Sequence, residues 1–196
     1  CVESLRADEV EDLPIEVIEM LEELLPSFDP SMITAVSIES KELIHVDCLV
    51  GQQMVELRMT NLGELLWMRR NLPDHDKGAL IDINSGNEID VRQLPVRILH
   101  DLRRKFPEIY IHRILTITRR DHRHRMFRIE AENLGAEMVM VINKHGHLIE
   151  FSLDSDSDGI CDVVEIEKGW DPQEEDTDKD GFPDGDEDAD QDGLTN

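Results

Sequence analysis

The chain has 196 residues, 39% of them hydrophobic, and a formal net charge of −25 from 45 acidic and 20 basic residues. That apolar content suits one or two modest cores, and no run of about 18 apolar residues occurs to make a membrane-spanning helix. The charge argues against nucleic acid as a general partner, because phosphate binding needs a basic face.

The charge is also uneven. Residues 151–196 hold 18 acids against Lys168 and Lys179 alone, so most of the negative charge lies in the last quarter, where divalent cations are the better candidates. Three cysteines, Cys1, Cys48 and Cys161, make no even, closely spaced disulfide framework. The opening Cys1, followed by the polar, acidic VESLRADEVED, resembles a bacterial lipoprotein after signal-peptide removal. That resemblance implies lipid attachment at Cys1 and a place in the cell envelope, anchored in the outer membrane or on the cell surface, with secretion as the alternative.

Residues 1–11 are expected to be a tether. From there the chain compares with itself at an offset of 81: Leu13-Pro14 through Leu25-Pro26 lines up with Leu94-Pro95 through Phe106-Pro107. Both segments predict helices, with proline at the start and a second proline beyond the end. Val17, Leu21 and Leu24 form the apolar face of the first, and Ile98, Leu99, Leu102 and Phe106 that of the second.

After each helix the apolar residues alternate, as in half-buried antiparallel strands. The first set is Ile33 to Ile38, then Val46, Cys48 and Val50, then Val55, Leu57 and Met59, then Leu65 and Trp67. The second is Ile114 and Ile117, then Phe127, Ile129 and Ala131, then Met138, Met140 and Ile142, then Leu148. A unit of about 60 residues is marginal alone, so the two are expected to share a sheet or pack together. The fold class is therefore α+β, two helix-plus-antiparallel-meander repeats over 12–73 and 93–151. Turn signals over the connector, 74–92, predict a hairpin or loop around Ala79-Leu80-Ile81.

The Leu-Pro helix starts, the helix-ending prolines and the turns Gly63-Glu64-Leu65 and Gly146-His147-Leu148 resemble the PepSY-like and beta-lactamase-inhibitor-protein-like domains of exported bacterial proteins, over about residues 12 to 151. That resemblance implies a protein partner, with an exported enzyme such as a peptidase as a target of inhibition.

The last segment, 152–196, is ordered chemistry. Asp154, Asp156, Asp158, Gly159, Asp162 and Glu165 fit D-x-D-x-D-G-x5-E, and Asp176, Asp178, Asp180, Gly181, Asp184 and Glu187 repeat it. A hard cation takes six to eight oxygens; alternate carboxylates supply them, glycine makes the sharp turn, and the carbonyl at position 7, Ile160 or Phe182, adds one without charge. A third loop begins with Asp188, Asp190 and Asp192, continues through Leu194, and reaches Asn196 at position 9, so a longer parent chain is expected. With Gly169-Trp170-Asp171-Pro172 between loops, the segment resembles calcium-binding thrombospondin type 3 repeats, which implies Ca2+ as the bound ion.

The pairs His122/His124 and His145/His147 fall at turns and are read as turn residues, not a zinc site. The run Arg119, Arg120, Arg123, Arg125 and Arg128 reads as a solvated hairpin face, with docking of an acidic partner or of the chain's own acidic tail as the alternative, and the methionines as core filler. No nucleophile elbow, zinc-helix motif or phosphate loop occurs, and Cys48 has no obvious base. The functional expectation is an exported, non-enzymatic calcium-binding protein whose front domain binds a protein partner. The alternative is a structural surface protein in which the repeats act as a rigid spacer or adhesion element.

Overall fold

A computed structural model describes residues 4–5, 13–25, 27–38, 43–70, 86–118 and 125–186. Cys1, Ala79-Leu80-Ile81, His122, His124, Arg119, Arg120, Arg123, Glu187, Asp188, Asp190, Asp192, Leu194 and Asn196 lie outside the described residues. The fold is α+β: a ten-stranded antiparallel sheet with three helices.

In chain order these are β1 (Ser4–Leu5), α1 (Ile15–Leu24), β2 (Ile33–Ile38), β3 (Ile44–Val50), β4 (Gln53–Met59), β5 (Leu65–Arg70), β6 (Asn87–Glu88), α2 (Val96–Lys105), β7 (Tyr110–Thr118), β8 (Arg125–Asn133), β9 (Ala136–Asn143), β10 (Leu148–Asp154) and α3 (Asp162–Lys168). The sheet order is β1-β2-β3-β4-β5-β10-β9-β8-β7-β6, so two meanders meet back to back at β5 and β10. There Met68 pairs with Phe151, and Arg69 pairs with Glu150, its Nε 3.6 Å from the carboxylate.

Both long helices begin on a proline at the N-cap, Pro14 and Pro95, one residue earlier than a first-turn position. An N-cap needs no N–H, and the Pro14 carbonyl accepts from the N–H groups of Val17 and Ile18. Leu25 and Phe106 then turn out of helical geometry. Val17 and Leu21 from α1, and Ile98 and Leu102 from α2, are buried in one core with Val46, Leu57, Met68, Ile129, Met140 and Phe151 from the sheet.

The starts of β3 and β8 keep the 81-residue spacing of the helices, but β4 to β9 and β5 to β10 are spaced by 83. The difference is in β8, which has nine residues where β3 has seven. An even change of length preserves which face each later side chain occupies, so Met138 and Met140 still point into the core. Both hairpins turn on two residues, Gly51-Gln52 and Leu134-Gly135, and Leu134 and Gly135 both have positive φ (58 and 96°), as a tight right-twisted hairpin requires.

The turns before β5 and β10 separate two roles of glycine. Gly63 and Gly146 both have positive φ, 78 and 86°. At Gly63 a Cβ would overlap the Glu16 carbonyl oxygen in the first turn of α1, whereas at Gly146 its nearest neighbour would be 3.8 Å away. Gly63→Ala is therefore expected to destabilise by about 3 kcal/mol or more, combining backbone strain with a clash, and Gly146→Ala by about 1–2 kcal/mol from strain alone. Urea unfolding of the two variants at one fixed calcium concentration checks this, and equal losses would show that the close approach of α1 is not what Gly63 serves.

Candidate metal centre

The acidic loops grow directly out of the sheet. Asp154 is both the last residue of β10 and the first residue of the first loop, so the change in composition after Phe151 falls inside a strand. The loop runs into α3, whose first residue is Asp162; Glu165 follows one turn on, and Val163 joins the main core. The helix ends at Gly169, φ 85°, with the Trp170 N–H bonded to the Glu165 carbonyl at 2.8 Å.

Ligand-capable oxygens of Asp154, Asp156 and Asp158 lie within 4.8 Å of one another, as do those of Asp176, Asp178 and Asp180. The two loops are wired alike. Asp154 accepts from the Gly159 N–H at 3.2 Å, and Asp176 from that of Gly181 at 2.9 Å. Asp158 accepts from Ile160 at 2.7 Å, and Asp180 from Phe182 at 3.0 Å. Gly159 and Gly181 share φ 101°, and Ser157 and Lys179, both at position 4, are also left-handed. Short donors turned inward in this way hold three like charges together without neutralising them.

Position 9 is bound differently from positions 1, 3 and 5. Asp162 accepts the Ser155 N–H at 2.8 Å with one oxygen and the Ser155 hydroxyl at 2.7 Å with the other. Asp184 holds Thr177 in the same way, at 3.1 and 2.7 Å. Both carboxylates are almost fully buried. A hydroxyl at position 2 opposite an acid at position 9 is the sequence signal for this clasp, and it was visible in both loops.

Glu165, at position 12, is fully buried, and neither carboxylate oxygen has a hydrogen-bond partner; Asp156 Oδ2 is likewise buried without one. Burial, followed by the charges of Asp156, Asp158, Asp162 and Asp154, pushes the Glu165 carboxyl up to about 8. Burial also raises Asp154 to about 6, against the lowering effect of its N–H donors from Ser157 and Gly159. A buried carboxylate facing other carboxylates, with no donor, is an arrangement that a cation would complete. The donor set, carboxylates with the position 7 carbonyls Ile160 and Phe182 available, fits a hard cation such as calcium. Its second loop is more open, with Asp178, Asp180 and Phe182 exposed.

The loops also touch each other. The Gly185 N–H, in the closing turn of the second loop, donates to Asp158 Oδ2 at 2.7 Å, and a Cβ on Gly185 would come within 2.5 Å of the Asp158 carbonyl oxygen.

Away from the loops, cross-strand pairing builds a second candidate surface. Residues that alternate with the core positions form the row Glu56, Arg69, Glu150, Val141 and Arg128, and beside it Arg58, Trp67 and Ser152. The guanidinium groups of Arg58 and Arg69 lie 5.3 and 5.6 Å from the Trp67 ring centroid. Arg128 pairs with Glu130 and Arg113 with Glu88 at 3.2 Å; Arg125 is exposed, whereas Arg128 is mostly buried and so is not part of a solvated face. The His145 and His147 rings sit 6.4 Å apart and join no metal-spaced group among the described residues. Cys48 is fully buried, and burial followed by the charge of Asp47 pushes its thiol up to about 12, which leaves it inert.

No family model matches the chain, and no curated protein matches it. Among solved structures it is similar to a BLIP-like protein from Bacteroides fragilis, at 13% identity over 74% of this chain and 89% of that one, with a TM-score of 0.30. It is also similar to DUF2874 family proteins from Bacteroides uniformis, at 8% identity over 77% and 97% of the two chains, and from Bacteroides ovatus, at 8% over 73% and 89%, both with a TM-score of 0.30. At these values the likeness carries no argument about function.

The clasp makes a direct prediction. Ser155→Ala removes a hydroxyl donor from a buried carboxylate and is expected to cost about 1.5–3 kcal/mol. Ser157→Ala, at an exposed position two residues on, should stay within about 0.5 kcal/mol of the parent. Unfolding midpoints at one fixed calcium concentration decide between them, and equal effects would remove the clasp.

Proposed function

We propose that this chain is an exported, non-enzymatic calcium-binding protein of the cell envelope whose front domain, read as two PepSY-like repeats, docks a protein partner through its sheet. The observation that carries the calcium reading is Glu165, fully buried with two oxygens lacking partners beside the Asp154, Asp156 and Asp158 cluster. Calcium would be held in the first loop by Asp154, Asp156, Asp158 and Glu165 with the Ile160 carbonyl. In the second, Asp176, Asp178, Asp180 and the Phe182 carbonyl would hold it, with Glu187 closing the shell. Asp162 and Asp184 brace the two loops from position 9, and Asp188, Asp190, Asp192, Leu194 and Asn196 belong to a third site. Bound calcium offsets the repulsion among the carboxylates. An affinity of about 0.1 to 1 mM suits an extracellular module. Envelope attachment through a lipid on Cys1 belongs to the same reading.

The sign of the pH dependence follows from the raised carboxyls. Without metal, Glu165 in the folded chain keeps its proton up to about 8, whereas an unfolded glutamate loses it near 4.5. Folding is therefore favoured at low pH by this group, and that contribution is lost as pH rises through about 8. Calcium needs the carboxylate form, so its binding should release protons and tighten as pH rises from 6 to 8. Calorimetry in buffers of different ionisation enthalpy measures the release. Glu165→Gln is expected to weaken the first loop roughly tenfold or more. Absence of binding heat in the parent chain would remove the calcium site.

The partner reading draws on Trp67 between two arginines near the centre of the sheet, since tryptophan and arginine dominate binding hot spots. A Trp67→Ala, Arg69→Glu chain should lose about 30-fold or more in affinity for any envelope protein that the parent captures, with calcium binding unchanged. Capture that survives these substitutions but fails on chelation would favour the alternative, a structural spacer. That alternative is itself supported by the docking of Gly185 on Asp158, which ties one loop to the next.

A further inference from the structure

The two long helices do not close over the sheet. Between them lies a cavity of about 720 Å³, and six partly buried apolar side chains around the core line it: Met20, Leu24, Leu65, Phe106, Ala136 and Leu148. An ion pair reaches from α1 to α2 across its mouth, Lys105 Nζ to Glu23 Oε1 at 3.0 Å. Packed helices approach to about 8–10 Å and exclude water from between them, whereas these two are held by charge and leave apolar surface unfilled. The volume is in the range of about 300–1,000 Å³ typical of small-molecule sites, with a largely apolar lining and polar groups around its rim.

The charge at the mouth has a direction. In a chain of net charge −25, α2 brings Arg97, Arg104 and Lys105 to the cavity, and His147 joins them from the turn before β10. Of the acids there, Asp101 is 3.8 Å from Arg97 and Glu23 is held by Lys105, while Glu64 is exposed on the opposite rim. Arg104 has no carboxylate partner among the described residues. Behind the wall, Arg70 is almost fully buried; its Nε donates to the Leu148 carbonyl at 2.8 Å and its Nη2 to the Leu24 carbonyl at 3.4 Å, and no carboxylate among the described residues neutralises it. Arg70 and Arg97 both lower the His147 pKa, a sign that this end of the cavity is positive, although burial is the larger cause.

We infer that this cavity is a binding site for a single-chain amphiphile with an anionic head, such as a fatty acid, its chain lying along Met20, Leu24, Phe106 and Ala136 and its head at the Arg97 and His147 end. The helix pair then acts as a clasp that the ligand fills, and Met20 lets the wall adapt to the chain. Ser155 of the first loop and Gln173 also line the cavity, so binding is measured at one fixed calcium concentration.

Equilibrium dialysis of the full chain against labelled dodecanoate tests it, with dodecyl phosphate, dodecanol and dodecyltrimethylammonium as parallel probes. Saturable binding of one dodecanoate per chain is expected, with dodecanol weaker and the ammonium weaker still; the phosphate arm tells whether the head preference is for carboxylate or for anions generally. Ala136→Trp fills the cavity and should weaken dodecanoate by about tenfold or more, since displacing two methylenes from apolar contact already amounts to that. Arg97→Glu, at an exposed position, should weaken dodecanoate about threefold and leave dodecanol unchanged. Unchanged thermal midpoints show that both variants are folded. No saturable binding, binding unaffected by Ala136→Trp in a folded chain, or equal affinity for the ammonium would overturn the inference. Calcium titration of the same samples reads the loops separately, so failure there leaves this result standing.

Discussion

The pairing of β5 with β10 is the contact on which the rest of the molecule depends. Each helix followed by four strands has too little apolar surface to be stable alone. Joined edge to edge at Met68 and Phe151, they share one core, and two edges that would otherwise expose unpaired backbone disappear into a continuous sheet. The same pairing places β10 in the middle of the sheet, which is why a chain end as acidic as this one begins from a fixed point. Asp154 leaves the strand already oriented, and Val163 returns the chain to the core ten residues after Leu153, the last core residue of β10.

Charge is then handled in two different ways. On the sheet and between the helices, acids and bases alternate across neighbouring elements, as in Arg69 with Glu150 and Lys105 with Glu23. These exposed pairs contribute little to stability individually, but they set which surfaces can face one another. In the loops there are almost no bases, so backbone N–H groups and the hydroxyls of Ser155 and Thr177 do the holding. The result is a set of carboxylates fixed in place but not neutralised, with Glu165 the extreme case. A set of oxygens arranged in this way fits a hard cation, the occupant proposed above.

The opposite charges of the two long helices have a consequence for packing. α1 carries four glutamates and no base, and α2 carries three arginines and a lysine. Attraction draws the helices toward each other, yet Glu23 and Lys105 meet at arm's length through long side chains, and the apolar residues beneath them stay half covered. An apolar seam in place of that ion pair would have closed the gap.

Much of this was legible in the chain. Alternation in Val46, Cys48 and Val50 or in Phe127, Ile129 and Ala131 can satisfy only a strand with one face buried, and prolines at 14 and 95 mark helix starts because the first turn needs no N–H. The order D-x-D-x-D-G marked where the two loops turn, because the N–H groups that the aspartates accept from lie within a few residues of them. What the sequence did not contain was decided by contacts far apart along the chain. The extra pair of residues in β8 was invisible because an even insertion leaves the alternation intact. That β5 and β10 are neighbours follows from register across 80 residues. Sequence spacing made Asp162 and Glu165 look like equals at positions 9 and 12. Only the folded loop distinguishes them, because Ser155 reaches one with two hydrogen bonds while the other, on α3, is buried with none.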